Sequence, residues 1–312
     1  MKAVVTGAAG FIGSHLTEAL LARGHEVLGV DGFTDYYPRA IKEDNLSRAR
    51  DHHRFLLVEG LLQELNLEPI FEGAGAVYHL AAQAGVRASW GLEFEAYTGH
   101  NILATQRLLE AAVGARTPRI VFASSSSVYG DSPVLPLRED SPCRPVSPYG
   151  VTKLAGEHLA HLYRRNHGLV VVSLRYFTVY GPRQRPDMAF HRFLRACRDG
   201  RGIHIYGDGS QTRDFTYVDD IVAATLAAAD SGTPGAVYNV GGGERVALNE
   251  VLRKIEGITG QALRATREEA QRGDMHDTAA DTTAAARDLA FRSAVPLDEG
   301  LSREWDWIRR LP

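Results

Sequence analysis

The sequence predicts an α/β fold built on a doubly wound parallel sheet. Three observations carry this: a glycine-rich turn between a short apolar strand and an apolar-periodic helix, an acidic residue closing the next strand, and continued strand–helix alternation through the first half of the chain. A smaller C-terminal α/β domain is expected to follow. The expected division is a cofactor-binding domain over residues 1–180 and a mainly substrate-binding domain over 181–312, discontinuous because some of its segments return to the first.

Lys2 to Thr6 is short and β-branched, and Gly7-Ala8-Ala9-Gly10-Phe11-Ile12-Gly13 leads from it into a helix from about Ile12 to Arg23. Gly7, Gly10 and Gly13 let backbone amides approach a pyrophosphate, with Phe11 and Ile12 beside it and the positive helix end stabilising it. The Gly-x-x-Gly-x-x-Gly spacing differs from Gly-x-Gly-x-x-Gly, but the strand–turn–helix context is the one a dinucleotide site requires. Glu26 to Val30 reads as the second strand, and Asp31 stands 18 positions beyond Gly13. A carboxylate there bonds a ribose 2′-hydroxyl and repels a 2′-phosphate. No basic residue follows until Arg39, so NAD is expected rather than NADP.

Arg54 to Val58, a helix around Gln63 to Phe71, and Ala76 to Leu80 continue the alternation. Leu80, Ala81 and Ala82 end the fourth strand with mostly small side chains, letting a cofactor lie against the backbone. Gln83 to Arg87 forms a loop at the sheet's carboxyl edge, where Arg87 is either a substrate-side cation or a solvated residue. Helices from about Phe94 to Val113 and from Tyr149 onward carry long apolar stretches. Their outer faces suit pairing with a second copy or burial within one subunit. Arg119 to Ala123 is the next strand, and Ser124 to Ser127 place hydroxyls at its end, able to bond a substrate hydroxyl and a phenol.

In Ser147-Pro148-Tyr149-Gly150-Val151-Thr152-Lys153, a helix opening after Pro148 puts Tyr149 and Lys153 one turn apart on one face. A free tyrosine titrates near pH ~10, and holding it as phenolate near neutrality costs roughly 4 kcal/mol. An exposed ion pair supplies at most about 1 kcal/mol. A buried site and a second cation are therefore implied, and oxidised nicotinamide supplies such a charge.

Leu169 to Leu174 is another strand, after which Arg175-Tyr176-Phe177-Thr178-Val179-Tyr180-Gly181-Pro182 leaves the sheet. Arg183-Gln184-Arg185-Pro186 is a basic loop suited to a carboxylate or phosphate. Ile203 to Tyr206 is a short strand, followed by a polar loop in which Arg213 can reach a diphosphate while Tyr206 lines a base pocket. A helix from about Val218 to Ala229, a strand at Val237 to Val240, a polar cluster at Gln271-Arg272-Gly273-Asp274, and a helix near Asp298 to Arg309 complete the chain. Trp305 and Trp307 are expected as core anchors.

Composition narrows the partners. The 312 residues are 44% apolar, enough for a substantial core, and carry a net charge of −3 without a long basic run. Nucleic acid and an anionic membrane are therefore not expected as partners. Cys143 and Cys197 lack metal-ligand spacing, so no metal is expected and a reducing, cytoplasmic setting is. No signal-peptide pattern and no apolar run near ~18 residues is present.

Taken together in this order, the Gly7 turn, Asp31, His79 to Ala82, the serine-rich strand end, Tyr149 with Lys153, and Arg213 resemble the extended short-chain dehydrogenase/reductase family along nearly the full chain. Within it the sequence is most similar to UDP-glucuronate 4-epimerases, through Asp31 to Tyr37, Ala81 to Arg87, Arg175 to Arg183, and Gly273-Asp274 with Asp281. The resemblance implies a Rossmann-type fold, bound NAD, a UDP-sugar substrate and a homodimer. Ser125, Tyr149 and Lys153 then take the catalytic positions, and Tyr176 joins the cofactor contacts. Arg87, Ser125, Ser126, Thr178, Arg185, Tyr206, Arg213 and Asp274 take substrate positions, with Arg185 and Thr178 meeting the sugar carboxylate. Ser126 and Ser127 stand where related dehydratases and decarboxylases carry acidic residues, which favours simple epimerisation. UDP-glucose 4-epimerisation, UDP-glucuronate decarboxylation and a non-catalytic NAD sensor are the alternatives. Leu61 and Arg272 depart from the family pattern, in which an Asp and a Pro are usual.

Overall fold

The computed structural model describes residues 1–269 and 273–311, so Gln271 and Arg272 lie outside the described residues. The first six strands are β1 (Lys2–Thr6), β2 (Glu26–Asp31), β3 (Phe55–Glu59), β4 (Ala74–His79), β5 (Ile120–Ser125) and β6 (Val171–Tyr176). They are followed by β7 (Thr178–Tyr180), β8 (Ile203–Tyr206), β9 (Thr212–Tyr217), β10 (Val237–Val240), β11 (Glu244–Ala247) and β12 (Ala265–Glu268). The main sheet has the order β10-β6-β5-β4-β1-β2-β3 and is parallel throughout. Smaller sheets, β11-β9-β7 and β12-β8, form from the later strands. The strand order reverses at β1, which pairs with β2 on one side and β4 on the other, the place where open α/β sheets leave a crevice at their carboxyl ends.

The longer helices that matter for the site are α1 (Phe11–Ala22), α2 (Ala104–Gly114), α3 (Pro148–His167), α4 (Val218–Ser231) and α5 (Leu297–Ile308). The alternation of side chains along each strand divides the core between the two faces of the main sheet. Ala3 and Val5 of β1 join Leu16, Leu20 and Ile221 on one side. Val4 joins Val77, Leu108 and Phe122 on the other. Although α4 comes after residue 181, it packs on α1, β5 and β6, and β10 extends the main sheet beside β6. Trp305 and Trp307 of α5 pack partly buried against the first of these core groups.

Two expected elements differ. Only Glu68–Phe71 is helical where Gln63 to Phe71 was expected. Pro69 lacks the amide that would continue a helix from Gln63, so it sits in the first turn of a short one. The run from Phe94 is helical throughout but widens to a π-helix at Thr98–Leu103 before α2. This segment turns Asn101 inward, where its Nδ2 donates to the Gln83 carbonyl at 3.0 Å and to Thr152 Oγ1 at 2.9 Å.

At the carboxyl edge, His79 Nδ1 lies 2.9 Å from Thr6 Oγ1 and Nε2 lies 2.9 Å from Thr105 Oγ1. Burial, with the charge of Lys153, pulls its pKa down to about 3. An unfolded histidine titrates near ~6.5, so between these values the unfolded chain binds a proton that the folded one refuses, and stability falls with falling pH. Between about pH 7 and about pH 5 this group is expected to remove on the order of 2 kcal/mol. Urea unfolding at both pH values should show His79→Gln losing less stability over that interval than the parent. Equal losses would exclude this role for His79.

Candidate active site

The glycine turn packs too tightly for side chains. Gly7 has φ +71°, and a Cβ on Gly13 would fall 2.0 Å from the Gly7 carbonyl oxygen. A Cβ on Gly7 would meet Ala81 N at 2.8 Å, so this turn and the end of β4 approach backbone to backbone. Helix α1 begins at Phe11 with Gly10 as its N-cap and no side-chain cap, leaving its first amides available to a ligand. Gly7, Gly10, Phe11, Ile12, Gly13, Asp31, Leu80, Ala81, Ala82, Tyr149, Lys153, Tyr176 and Arg185 all line one pocket. This length of glycine turn, strand-end carboxylate and Tyr–Lys pair along a single cavity fits a dinucleotide.

Asp31 is held by the turn it follows. One carboxylate oxygen accepts from Ala9 N at 2.9 Å and the other from Phe33 N at 2.9 Å. Burial raises its pKa, while these amides and the charge of Lys42 oppose the rise. Lys42 was not singled out in the sequence, where Arg39 is the first base after Asp31. Arg39 instead pairs outside with Glu59 and Glu43, while Lys42, 4% exposed, lines the pocket and donates to the Thr34 carbonyl. The separation along the chain hid it because the short helix Arg39–Asn45 folds back and turns alternate basic residues out and in. Leu61 lines the same pocket, so an apolar side chain stands there in place of the Asp usual in the family.

Ser147 caps α3 by accepting from Gly150 N at 3.1 Å, with Pro148 in its first turn. Tyr149, Lys153 and Glu157 then follow at four-residue intervals along one face. The Ser125 hydroxyl lies beside the Tyr149 phenol, where it favours the ionised form, and it accepts from Ser127 N at 3.1 Å. Burial pushes the Tyr149 pKa up, opposed by the Ser125 hydroxyl and by the positive charge of Arg185. Lys153 Nζ donates to the Ala123 carbonyl at 2.7 Å, and burial pulls its pKa down to about 8 against the opposing charge of Glu157.

Glu157 is a second residue that the sequence reading missed. Its carboxylate pairs with Arg175 at 2.8 Å, and both side chains are nearly excluded from solvent. Ser124 Oγ donates to the same carboxylate. The four-residue spacing after Lys153 was the available signal.

Ser125 and the remaining candidates fall outside the main pocket lining. Ser126 is buried in the turn Ser126–Val128, and Thr178 opens β7 opposite Phe215. Arg87, Tyr206, Arg213 and Asp274 form a second group. Arg87 Nη2 is 2.6 Å from Asp274 Oδ2, its guanidinium lies 4.2 Å over the Tyr206 ring, and Arg213 feels both charges. Arg213 Nη1 donates to the carbonyls of Thr212 and His276, each at 2.9 Å.

The profile of the NAD dependent epimerase/dehydratase family matches residues 3–241. A Bacillus subtilis protein named an uncharacterized UDP-glucose epimerase, YtcB, is 43% identical over 315 residues, spanning 100% of this chain and 99% of its own. A UDP-glucuronate 4-epimerase of Thermodesulfobacterium geofontis is 37% identical, covering 98% of this chain and 95% of that protein. The crystal structure of a UDP-glucuronic acid 4-epimerase from Bacillus cereus, in complex with UDP-glucuronic acid and NAD, superposes with a TM-score of 0.97 at 42% identity over 99% of each chain. With the site's geometry and these full-length likenesses agreeing, the chain belongs to the NAD dependent epimerase/dehydratase family.

Proposed function

We propose that the protein is an NAD-dependent isomerase that interconverts UDP-glucuronate and UDP-galacturonate at C4 through a transient 4-keto sugar. The observation that carries this reading is Arg185 lining the same pocket as Tyr149 and Lys153, close enough for its charge to act on the Tyr149 phenol. A guanidinium beside the reacting alcohol suits a sugar that bears a carboxylate, whereas a neutral hexose gives it no anionic partner.

Gly7 to Gly13 and Asp31 hold the cofactor's pyrophosphate and ribose, with Lys42 at the same end. Bound NAD supplies a reversible hydride acceptor beside C4. Tyr149 as phenolate takes the proton of the C4 hydroxyl, which Ser125 orients, and returns it after the sugar has turned to offer its opposite face. Lys153 supplies positive charge to the Tyr149 end of the pocket. Arg185 and Thr178 meet the sugar carboxylate, and Ser126 joins the substrate contacts. Arg87, Tyr206, Arg213 and Asp274 hold the UDP part, their two guanidinium groups facing the diphosphate. In this division residues 1–180, with α4 and β10, form the cofactor-binding domain, and most of residues 181–312 form the substrate domain. Exposed Leu103, Val151 and Leu162 on the outer faces of α3 and the helical run before it support a homodimer, and the cysteine usage supports a cytoplasmic setting. No helix among the described residues is long and apolar enough to cross a membrane.

The name of the Bacillus subtilis relative keeps UDP-glucose as the second substrate to test. Resolving products from both UDP-sugars separates the readings, since decarboxylation would yield a pentose product. Replacing Arg185 by Ala is expected to weaken UDP-glucuronate binding about 100-fold, with a clearly smaller effect on UDP-glucose. Calorimetric titration giving equal losses for both would remove the carboxylate role. Tyr149→Phe is expected to lower kcat about 10²- to 10⁴-fold while substrate still binds. Unchanged turnover would return the protein to a non-catalytic reading.

A further inference from the structure

A guanidinium offers two edges for bidentate pairing, Nε with Nη2 and Nη1 with Nη2. In Arg185 the first edge is already taken. Nε donates to Asp187 Oδ1 at 3.0 Å and Nη2 to Asp187 Oδ2 at 2.9 Å. The Tyr36 hydroxyl donates to the same Oδ2 at 3.1 Å, and its ring lies 5.7 Å from the guanidinium. Nη1 has no hydrogen-bond partner among the described residues. Tyr36 and Arg185 line the pocket with Tyr149, while Asp187 remains 41% exposed at its rim. Burial and the charge of Asp187 push the Tyr36 pKa up to about 12, so at neutral pH it stays a phenol and can donate.

We propose that Asp187, held by Tyr36, is a positioning residue for sugar recognition: it fixes one edge of Arg185 so that the Nη1–Nη2 edge is presented to the ligand carboxylate. This rests on the uronate reading of the pocket. A long, freely rotating arginine loses much of its side-chain freedom on forming a two-point contact, and a partner that fixes it beforehand removes that loss from the binding step. Tyr36 belongs to the segment that begins at Asp31, so the same loop contacts both the ribose end and the sugar end of the pocket.

Charge and orientation make opposite demands on Asp187, and this makes the proposal testable. Removing its negative charge would, by electrostatics alone, strengthen the binding of an anionic sugar. Loss of the fixed edge would weaken it. Calorimetric titration of the cofactor-loaded protein with UDP-glucuronate and UDP-glucose should show Asp187→Asn losing uronate affinity by about tenfold or more, with little change for UDP-glucose. Asp187→Glu should recover part of that loss, and Tyr36→Phe should show a smaller loss in the same direction. Uronate binding that is unchanged or tighter in Asp187→Asn, or equal losses for both sugars, overturns the proposal. If the parent protein itself fails to prefer the uronate, the substrate reading falls first, a result distinguishable from failure of the Asp187 role alone.

Discussion

Desolvation of the half-buried Tyr149 phenol is the constraint on which the rest of the site depends. Desolvation opposes its ionisation, yet the proposed reaction needs a proton acceptor at this position. The same low-dielectric surroundings strengthen favourable contacts to the phenolate. The chain supplies the Ser125 hydroxyl and the Arg185 guanidinium, with Lys153 one helical turn away. Lys153 is itself buried enough to be brought close to losing its proton, and Glu157 one turn further counters that tendency.

Each buried charge therefore calls for the next, and the series accounts for several features of the fold. The Glu157 carboxylate is paired by Arg175, whose Nη1 donates to Tyr129 Oη at 2.8 Å, and Tyr129 Oη donates to Asn239 Oδ1 at 2.6 Å. Asn239 lies in β10, the strand that rejoins the main sheet after the chain has built much of its second half. A buried ion pair is a poor source of stability compared with apolar packing, but removing one member leaves an uncompensated charge. These residues thus fix α3 against β6 more firmly in position than in energy.

Much of this was legible in the sequence because local chemistry and fold agree there. The glycine turn, Asp31, the serine strand end and the capped helix carrying Tyr149 and Lys153 each follow from short-range rules, and parallel strand pairing brings their ends to one edge. What was not legible depends on distant contacts. Lys42 enters the pocket only because a short helix folds back over Asp31, and Asp187 matters through a tyrosine far away in sequence. Likewise, nothing within the segment Gln63 to Phe71 outweighed its apolar pattern except Pro69, whose missing amide decided the outcome.

The most direct measurement is the ionisation of Tyr149 itself, read as the ultraviolet absorbance difference between the parent and Tyr149→Phe while pH is raised. The titration is run with the protein loaded with oxidised and then with reduced cofactor. If positive charge at the buried phenol sets the base, the phenolate appears at a pH lower by about one unit or more with the oxidised form. Coincident midpoints for the two forms would contradict it.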